Sequence, residues 1–213
     1  MNPPPNLNRL ARLYRWMELC TFGPWLWWCR CAYLRAMTSR RRAAVLGDGD
    51  GRFVARLLRE NPAIAIDAVE ASPAMVKVMR QRARRHASRL HIFCEDVRLW
   101  QPSGEAYDLI VTHFFLDFLT DEEVEALAVR MRHAAAPGAI WIVSEFVVPA
   151  TLFGRLVARP VVWGLYRSFA LLTGLRVRTL PDYPAALRKA GFALRERRSW
   201  LCGLLASERW EAV

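Results

Sequence analysis

Short apolar runs alternate with segments of helical periodicity along most of this 213-residue chain. The first run is Ala43-Ala44-Val45-Leu46, and behind it apolar positions are spaced for a helix as far as Leu58. Ala63 to Glu70 predicts a second buried strand, followed by Ser72-Pro73, a capping serine and a first-turn proline. Leu90 to Cys94 predicts a third strand. Tyr107 to Thr112 alternates poorly and so predicts a fourth, buried on both faces. Asp121-Glu122-Glu123 places acids in the first turn of an amphipathic helix that Pro137-Gly138 is expected to end. Ala139 to Ser144 predicts the fifth strand, with Glu145 at its carboxyl end. A helix over Pro184 to Ala190 stops at Gly191, and the closely spaced runs Phe192 to Trp200 and Leu204 to Trp210 predict an antiparallel pair at a sheet edge. This alternation predicts an α/β fold, a parallel sheet covered on both faces with ligands at the strands' carboxyl ends.

Two segments break the rhythm. In the helical leader, residues 1–42, Tyr14, Trp16, Phe22, Trp25, Trp27, Trp28 and Tyr33 are too many rings for one side of one helix, and Phe22-Gly23-Pro24 predicts a break into two. Those rings are left to pack on the body, to line an apolar pocket or to meet a membrane interface. Phe146 to Leu180 is apolar and carries Arg155, Arg159, Arg167, Arg176 and Arg178. So long an excursion inside a compact chain predicts a helical cap over the site. The expected organisation is one domain, 1–213: leader 1–42, cofactor-binding core 43–145, cap insertion 146–181, and a last helix with the edge strand pair over 182–213.

The chemistry enters at Gly47-Asp48-Gly49-Asp50-Gly51, between the first strand and its helix. Such a loop admits positive φ and lets the backbone approach a ligand closely, which predicts a nucleotide-type cofactor. Glu70 lies 19 residues beyond Gly51, at the end of the neighbouring strand, where an acid would hold a ribose by its hydroxyls. Arg52 occupies the sixth position of the loop, where a dinucleotide-binding fingerprint needs a small residue. The net charge of +11 suggests an anionic partner, but only Lys77 and Lys189 of the 31 basic residues are lysines and the arginines are spread along the chain. The pattern fits coding-sequence composition and solvated faces better than a nucleic-acid footprint. Five cysteines, Cys20, Cys29, Cys31, Cys94 and Cys202, have no framework spacing, and the histidines do not complete a metal set around Cys29-x-Cys31. Free thiols in a reducing, cytoplasmic compartment and no metal are expected, with neither signal peptide nor spanning helix.

Val45-Leu46-Gly47-Asp48-Gly49-Asp50-Gly51, Val69-Glu70-Ala71-Ser72-Pro73-Ala74-Met75, Glu95-Asp96-Val97 and Tyr107-Asp108-Leu109-Ile110-Val111-Thr112 together resemble the class I S-adenosylmethionine-dependent methyltransferases. Leu10-Ala11, Tyr14, Phe22-Gly23, Trp28 and Arg30, with Phe115-Leu116, Leu119 and Asp121, are loosely similar to the ubiquinone and menaquinone biosynthesis C-methyltransferase group. The resemblance implies a Rossmann-like, seven-stranded, mostly parallel sheet whose last strand is antiparallel, with S-adenosyl-L-methionine as cofactor. It implies Gly47, Gly49 and Gly51 against the methionine and ribose portions, Glu70 on the ribose, Ala71 on the adenine, Asp96 and Val97 at the adenine edge, and His113 beside the cofactor. The family usually has an acid two residues before the first glycine; Val45 stands there, and Asp48 is the candidate substitute for holding the cofactor's amino group.

Methyl transfer needs alignment, desolvation and, for a weakly acidic acceptor, a base. Asp117, behind two phenylalanines, is the candidate base, with a helix cap as its other reading; Tyr14, Phe115, Glu145 and Tyr166 are candidates for the acceptor pocket. The apolar leader and cap predict a small hydrophobic or amphipathic acceptor, such as a quinone precursor, an isoprenoid or a lipid head group, and admit peripheral membrane contact. Thr112-His113-Phe114-Phe115 argues against RNA, because base N-methyltransferases continue the fourth strand with Asn/Asp-Pro-Pro-aromatic. A non-catalytic member of the fold that binds the cofactor or a partner stays open, and oligomeric state is not readable.

Overall fold

The computed structural model describes residues 22–102, 104, 106–164 and 181–213. The roles expected of Tyr14, Trp16, Tyr166, Arg167, Arg176 and Arg178 lie outside the described residues. Strands β1 (Arg42–Leu46), β2 (Ala65–Val69), β3 (Leu90–Phe93), β4 (Tyr107–His113) and β5 (Ala135–Phe146) are joined in the sheet by β6 (Phe192–Trp200) and β7 (Leu205–Ala212). Their order is β3-β2-β1-β4-β5-β7-β6. The first five run parallel, and β7 lies antiparallel between β5 and β6. The expected edge pair is therefore present, with β6 outermost.

Helices α1 (Trp25–Arg30), α2 (Leu34–Met37), α3 (Arg52–Glu60), α4 (Pro73–Arg82) and α5 (Asp121–His133) precede α6 (residues 152–164, π-helical over Gly154–Ala158) and α7 (Tyr183–Lys189). α1 begins after the turn at Phe22-Gly23-Pro24, where the leader was expected to break. Alternate strand residues serve opposite faces, as a pleat requires. Ala43 and Val45 pack with Phe53, Leu57 and Leu58 of α3; Ala44 and Leu46 pack with Val124, Leu127 and Met131 of α5 and Leu187 of α7. Ser72 accepts a hydrogen bond from the Met75 N–H with Pro73 in the first turn, so α4 starts as its sequence predicts.

Pro137-Gly138 was expected to end α5, and it does not. The helix ends at His133 and β5 starts at Ala135, so both residues lie inside the strand. The register jumps there, from Tyr107 opposite Ala135 to Leu109 opposite Ile140. A proline without an N–H and a glycine at φ +67° are tolerated because this stretch is out of the regular ladder. On the partner strand the irregularity brings Tyr107 to the same face as Ile110, where its hydroxyl donates to buried Asp67 at 2.6 Å.

Candidate active site

The glycine loop, Glu70, Asp96, the turn after β4 and Glu145 all lie at the carboxyl ends of parallel strands. The loop is drawn onto the sheet by the Gly47 N–H, which donates to the Val69 carbonyl at 2.9 Å. Two of its glycines are required by neighbours. A Cβ on Gly47 would lie 2.2 Å from the Phe115 ring, and one on Gly51 would lie 2.3 Å from the Met79 side chain. Around Gly49 the space is open, with nothing within 4 Å of an added Cβ. Beside it Glu70 is buried, accepting from the Gly49 N–H at 3.1 Å and the Ser72 N–H at 2.9 Å. Burial raises the Glu70 pKa against the lowering effect of those two bonds. An open backbone edge with a buried carboxyl beside it fits the ribose and methionine portions of S-adenosylmethionine.

Asp48 Oδ2 accepts from the Val54 N–H at 3.0 Å, closing the first turn of α3. Burial pushes its pKa up to about 7 despite that bond. Val45, the departure from the family pattern, is packed in the α3-side core. Ala71 is half-buried just past β2, and Val97 is buried in the core on the α5 side. Asp96 is clamped by Arg98, whose Nε donates to both carboxylate oxygens at 2.9 Å, and Arg98 reaches on to Glu123 at 3.2 Å. Though partial burial alone would raise it, the Asp96 pKa is lowered overall by hydrogen bonds and charge from Arg98.

After β4 the chain turns through Phe114 at φ +54°, a left-handed conformation in a bulky residue. Glu145 secures this turn: its Oε1 accepts from the Phe115 N–H at 3.0 Å and the Leu116 N–H at 2.8 Å. Its Oε2 has no hydrogen-bond partner among the described residues. Asp117 follows in a short 3-10 turn, Leu116–Phe118, and is buried. It is not the cap of α5, because Thr120 accepts from the Glu123 N–H and Glu123 reaches back to the Thr120 N–H. Burial, and then the charge of Asp117, push the Glu145 pKa well above the usual carboxylate range.

Asp117 and Glu145 open onto one cavity of about 300 Å³. Its walls include Phe146, Val147, Val148, Pro181, Tyr183 and Pro184, with Asp182 and Arg197 as the other polar members. Of the expected acceptor-pocket residues among those described, Glu145 lines this cavity, and Phe115 packs over Gly47 and does not. His113 is buried against the Phe53 ring, edge to face at 4.4 Å, and burial drives its pKa well below the ordinary value. It is a neutral imidazole at the end of β4. Tyr183, Arg197 and Arg98 were missed as site residues. Only Tyr183 carried a signal, as an aromatic residue before Pro184 at a helix start.

Comparison with known proteins bears on the same loop and strands. Residues 44–138 match a family model described as a methyltransferase domain. The chain is 24% identical over 162 residues to malonyl-[acyl-carrier protein] O-methyltransferase of Paenibacillus sp., covering 75% of this chain and 58% of that protein. It is 28% identical over 155 residues to trans-aconitate 2-methyltransferase of Mycobacterium tuberculosis, covering 71% of this chain and 56% of that protein. The chain therefore spans a little over half the length of these relatives. Among solved structures, an O-methyltransferase family protein from Burkholderia thailandensis superposes with a TM-score of 0.72 at 16% identity, over 96% of this chain and 60% of that one. The N-methyltransferase NodS from Bradyrhizobium japonicum WM9, solved in complex with S-adenosyl-L-homocysteine, gives 0.65 at 16% identity, over 95% and 98%. These structural likenesses bear on the fold. The glycine loop, β2, β3 and β4 lie within the matched segment: residues 44–138 are similar to a methyltransferase domain, and the fold is the one shared with these methyltransferase structures.

Proposed function

We propose that this chain transfers the methyl group of S-adenosylmethionine to a small, uncharged, largely apolar acceptor seated in the Asp117–Glu145 cavity. The carrying observation is that pair: two buried carboxyls, one in the turn after β4 and one near the carboxyl end of β5, on a cavity whose remaining wall is mainly apolar. The bound cofactor supplies a methyl group activated by its sulfonium. The chain supplies the rest. Gly47, Gly49 and Glu70 hold the donor, and Asp96, Val97 and Ala71 meet its adenine. The apolar wall orients the acceptor and keeps water out.

Burial, and then the charge of Asp117, favour the proton-bearing form of Glu145. With Glu145 protonated on Oε2, its Oε1 still fixes the turn, and Asp117 remains the base. When the acceptor's hydroxyl or activated C–H gains the methyl group, its proton passes to Asp117. The same pair disfavours an anionic acceptor, which separates this reading from the carboxylate chemistry in the names of the two curated relatives.

The test is calorimetry with S-adenosylmethionine followed by tritiated-methyl transfer into a lipid extract, alongside a panel of carboxylic acids. Binding with label in an apolar neutral product supports the reading. Label confined to carboxylate esters removes the acceptor class, and binding without transfer leaves a non-catalytic member of the fold. With the acceptor in hand, Asp117→Asn is expected to lower kcat by about 10²–10⁴. Glu145→Gln keeps the Oε1 acceptor and is expected to stay within about tenfold of the parent, since general acid–base losses begin near a hundredfold. Equal turnover by Asp117→Asn would remove the base.

A further inference from the structure

α6 hides a narrow stripe and exposes the rest. Gly154, Ala158 and Val162, four residues apart, are its buried positions. A Cβ on Gly154 would lie 1.7 Å from the Pro149 carbonyl oxygen, so the helix is seated by that glycine. Ala158 and Val162 pack on the same cluster as Leu26 and Cys29 of α1, together with Phe114 and Phe146. A solvent-facing helix side is ordinarily polar. Here Leu152 is 74% exposed, Leu156 73% and Trp163 62%, with Val157 and Val161 also exposed. α1, packed on the same cluster, exposes Trp25 and Trp28, which touch edge to face.

The only charged residues of α6 are Arg155 and Arg159, both exposed. Over 146–180 the sequence has five arginines and, apart from these, no lysine, aspartate or glutamate. Indole rings and aliphatic chains beside arginine, with no acid among them, match the boundary zone of a bilayer: the apolar groups enter it and the guanidinium groups meet lipid phosphates. We propose that the outer sides of α6 and α1 dock on an anionic membrane surface. No described helix is long and apolar enough to cross a membrane, so the contact is interfacial. Phe146 belongs to the cluster under these helices and also lines the carboxyl cavity, and Val148 packs against the one and lines the other. Docking therefore brings an apolar phase next to the acceptor cavity. The surface goes beyond the assigned reaction and does not depend on it.

The experiment is co-sedimentation of the full chain with vesicles of phosphatidylcholine alone or mixed with phosphatidylglycerol, at low and high salt. Sedimentation is expected with the anionic vesicles, strongest at low salt, and not with phosphatidylcholine. The double variant Arg155→Glu/Arg159→Glu is expected to bind at least about tenfold more weakly, from the loss of two surface cations. Leu152→Ser/Leu156→Ser is expected to weaken binding while keeping the parent's melting temperature, because both side chains are exposed. Vesicles with brominated acyl chains are expected to quench tryptophan fluorescence less in Trp163→Leu than in the parent. Absence of sedimentation at low salt, unchanged binding in both double variants, or equal quenching would overturn the proposal. So would binding to an acidic protein without binding to vesicles, which would make this a protein-docking surface.

Discussion

Asp48 and Glu145 are acids whose folded environments favour their protonated forms, and this has a consequence that Asp48 makes measurable. Its pKa rises from 3.8 to about 7, chiefly through burial. A carboxyl with a raised folded pKa binds its proton more tightly folded than unfolded, so its contribution to stability falls as pH rises between the two values. Asp48→Asn keeps an oxygen for the Val54 N–H and cannot ionise. Its stability relative to the parent, from urea unfolding, is expected to rise steadily between pH 4 and about 7. A pH-independent difference would mean that Asp48 is not desolvated as described. His113 works in the opposite direction. Its lowered pKa keeps it neutral when folded, so acidification below its ordinary 6.5 costs stability as the unfolded chain takes up the proton. At this scale the sequence was partly legible. Glu70 could be placed from its distance to Gly51, because strand, loop and strand lengths fix that separation. The Asp117–Glu145 pair could not, because β5 returns Glu145 to a turn 28 positions earlier in the chain. The Arg98 clamp on Asp96 was equally hidden, since a two-residue spacing in a loop has no regular geometry to read.

Among the elements, the turn between β4 and α5 combines a strained backbone position with a carboxyl on the cavity. Phe114 occupies the left-handed region, which costs a non-glycine residue about 1–2 kcal/mol, yet its ring is buried against Phe146 and under Arg30. Removing the ring costs about 3–5 kcal/mol, so neither Phe114→Ala nor Phe114→Gly stabilises the fold. Glycine recovers the backbone strain that alanine keeps. Phe114→Gly is therefore expected to be more stable than Phe114→Ala by about 1 kcal/mol, the reverse of their order in a helix or strand. At the other end of this connection, Thr120→Ala removes one half of the α5 capping box and is expected to cost about 0.5–2 kcal/mol by thermal or urea unfolding. The elements themselves were the most legible level. β1, β2, β4 and the last strand pair were read to within a residue or two at most of their bounds, because apolar runs or closely spaced segments bracketed by glycine and capping signals leave little choice. Pro137-Gly138 misled because the same two residues that stop a helix also suit a strand stretch out of register, and only the partner strand distinguishes the cases.

At the scale of the whole molecule, the glycine loop, the sheet and the cofactor form one thermodynamic system. A ligand that binds only the folded chain stabilises it by about 2.7 kcal/mol at a hundred times its Kd. For a chain of 213 residues, that corresponds to a melting shift of about 5–10 °C. S-adenosylhomocysteine, which lacks the reactive methyl group, is the probe of choice because it reports binding without turnover. Glu70 contributes to this equilibrium twice. Without ligand it ties the Gly49 and Ser72 N–H groups together, so Glu70→Ala leaves those donors without their acceptor and is expected to lower the unliganded melting temperature. In the proposed function it also accepts from the ribose hydroxyls of the bound ligand, so the same variant is expected to lose most of the shift at the parent's saturating concentration. The two effects separate cleanly. A lower starting temperature with an undiminished shift would leave Glu70 as a brace for the glycine loop and move ribose recognition to other residues. A lost shift, with the far-ultraviolet spectrum intact, would tie the buried carboxyl beside Gly49 to the methyl donor.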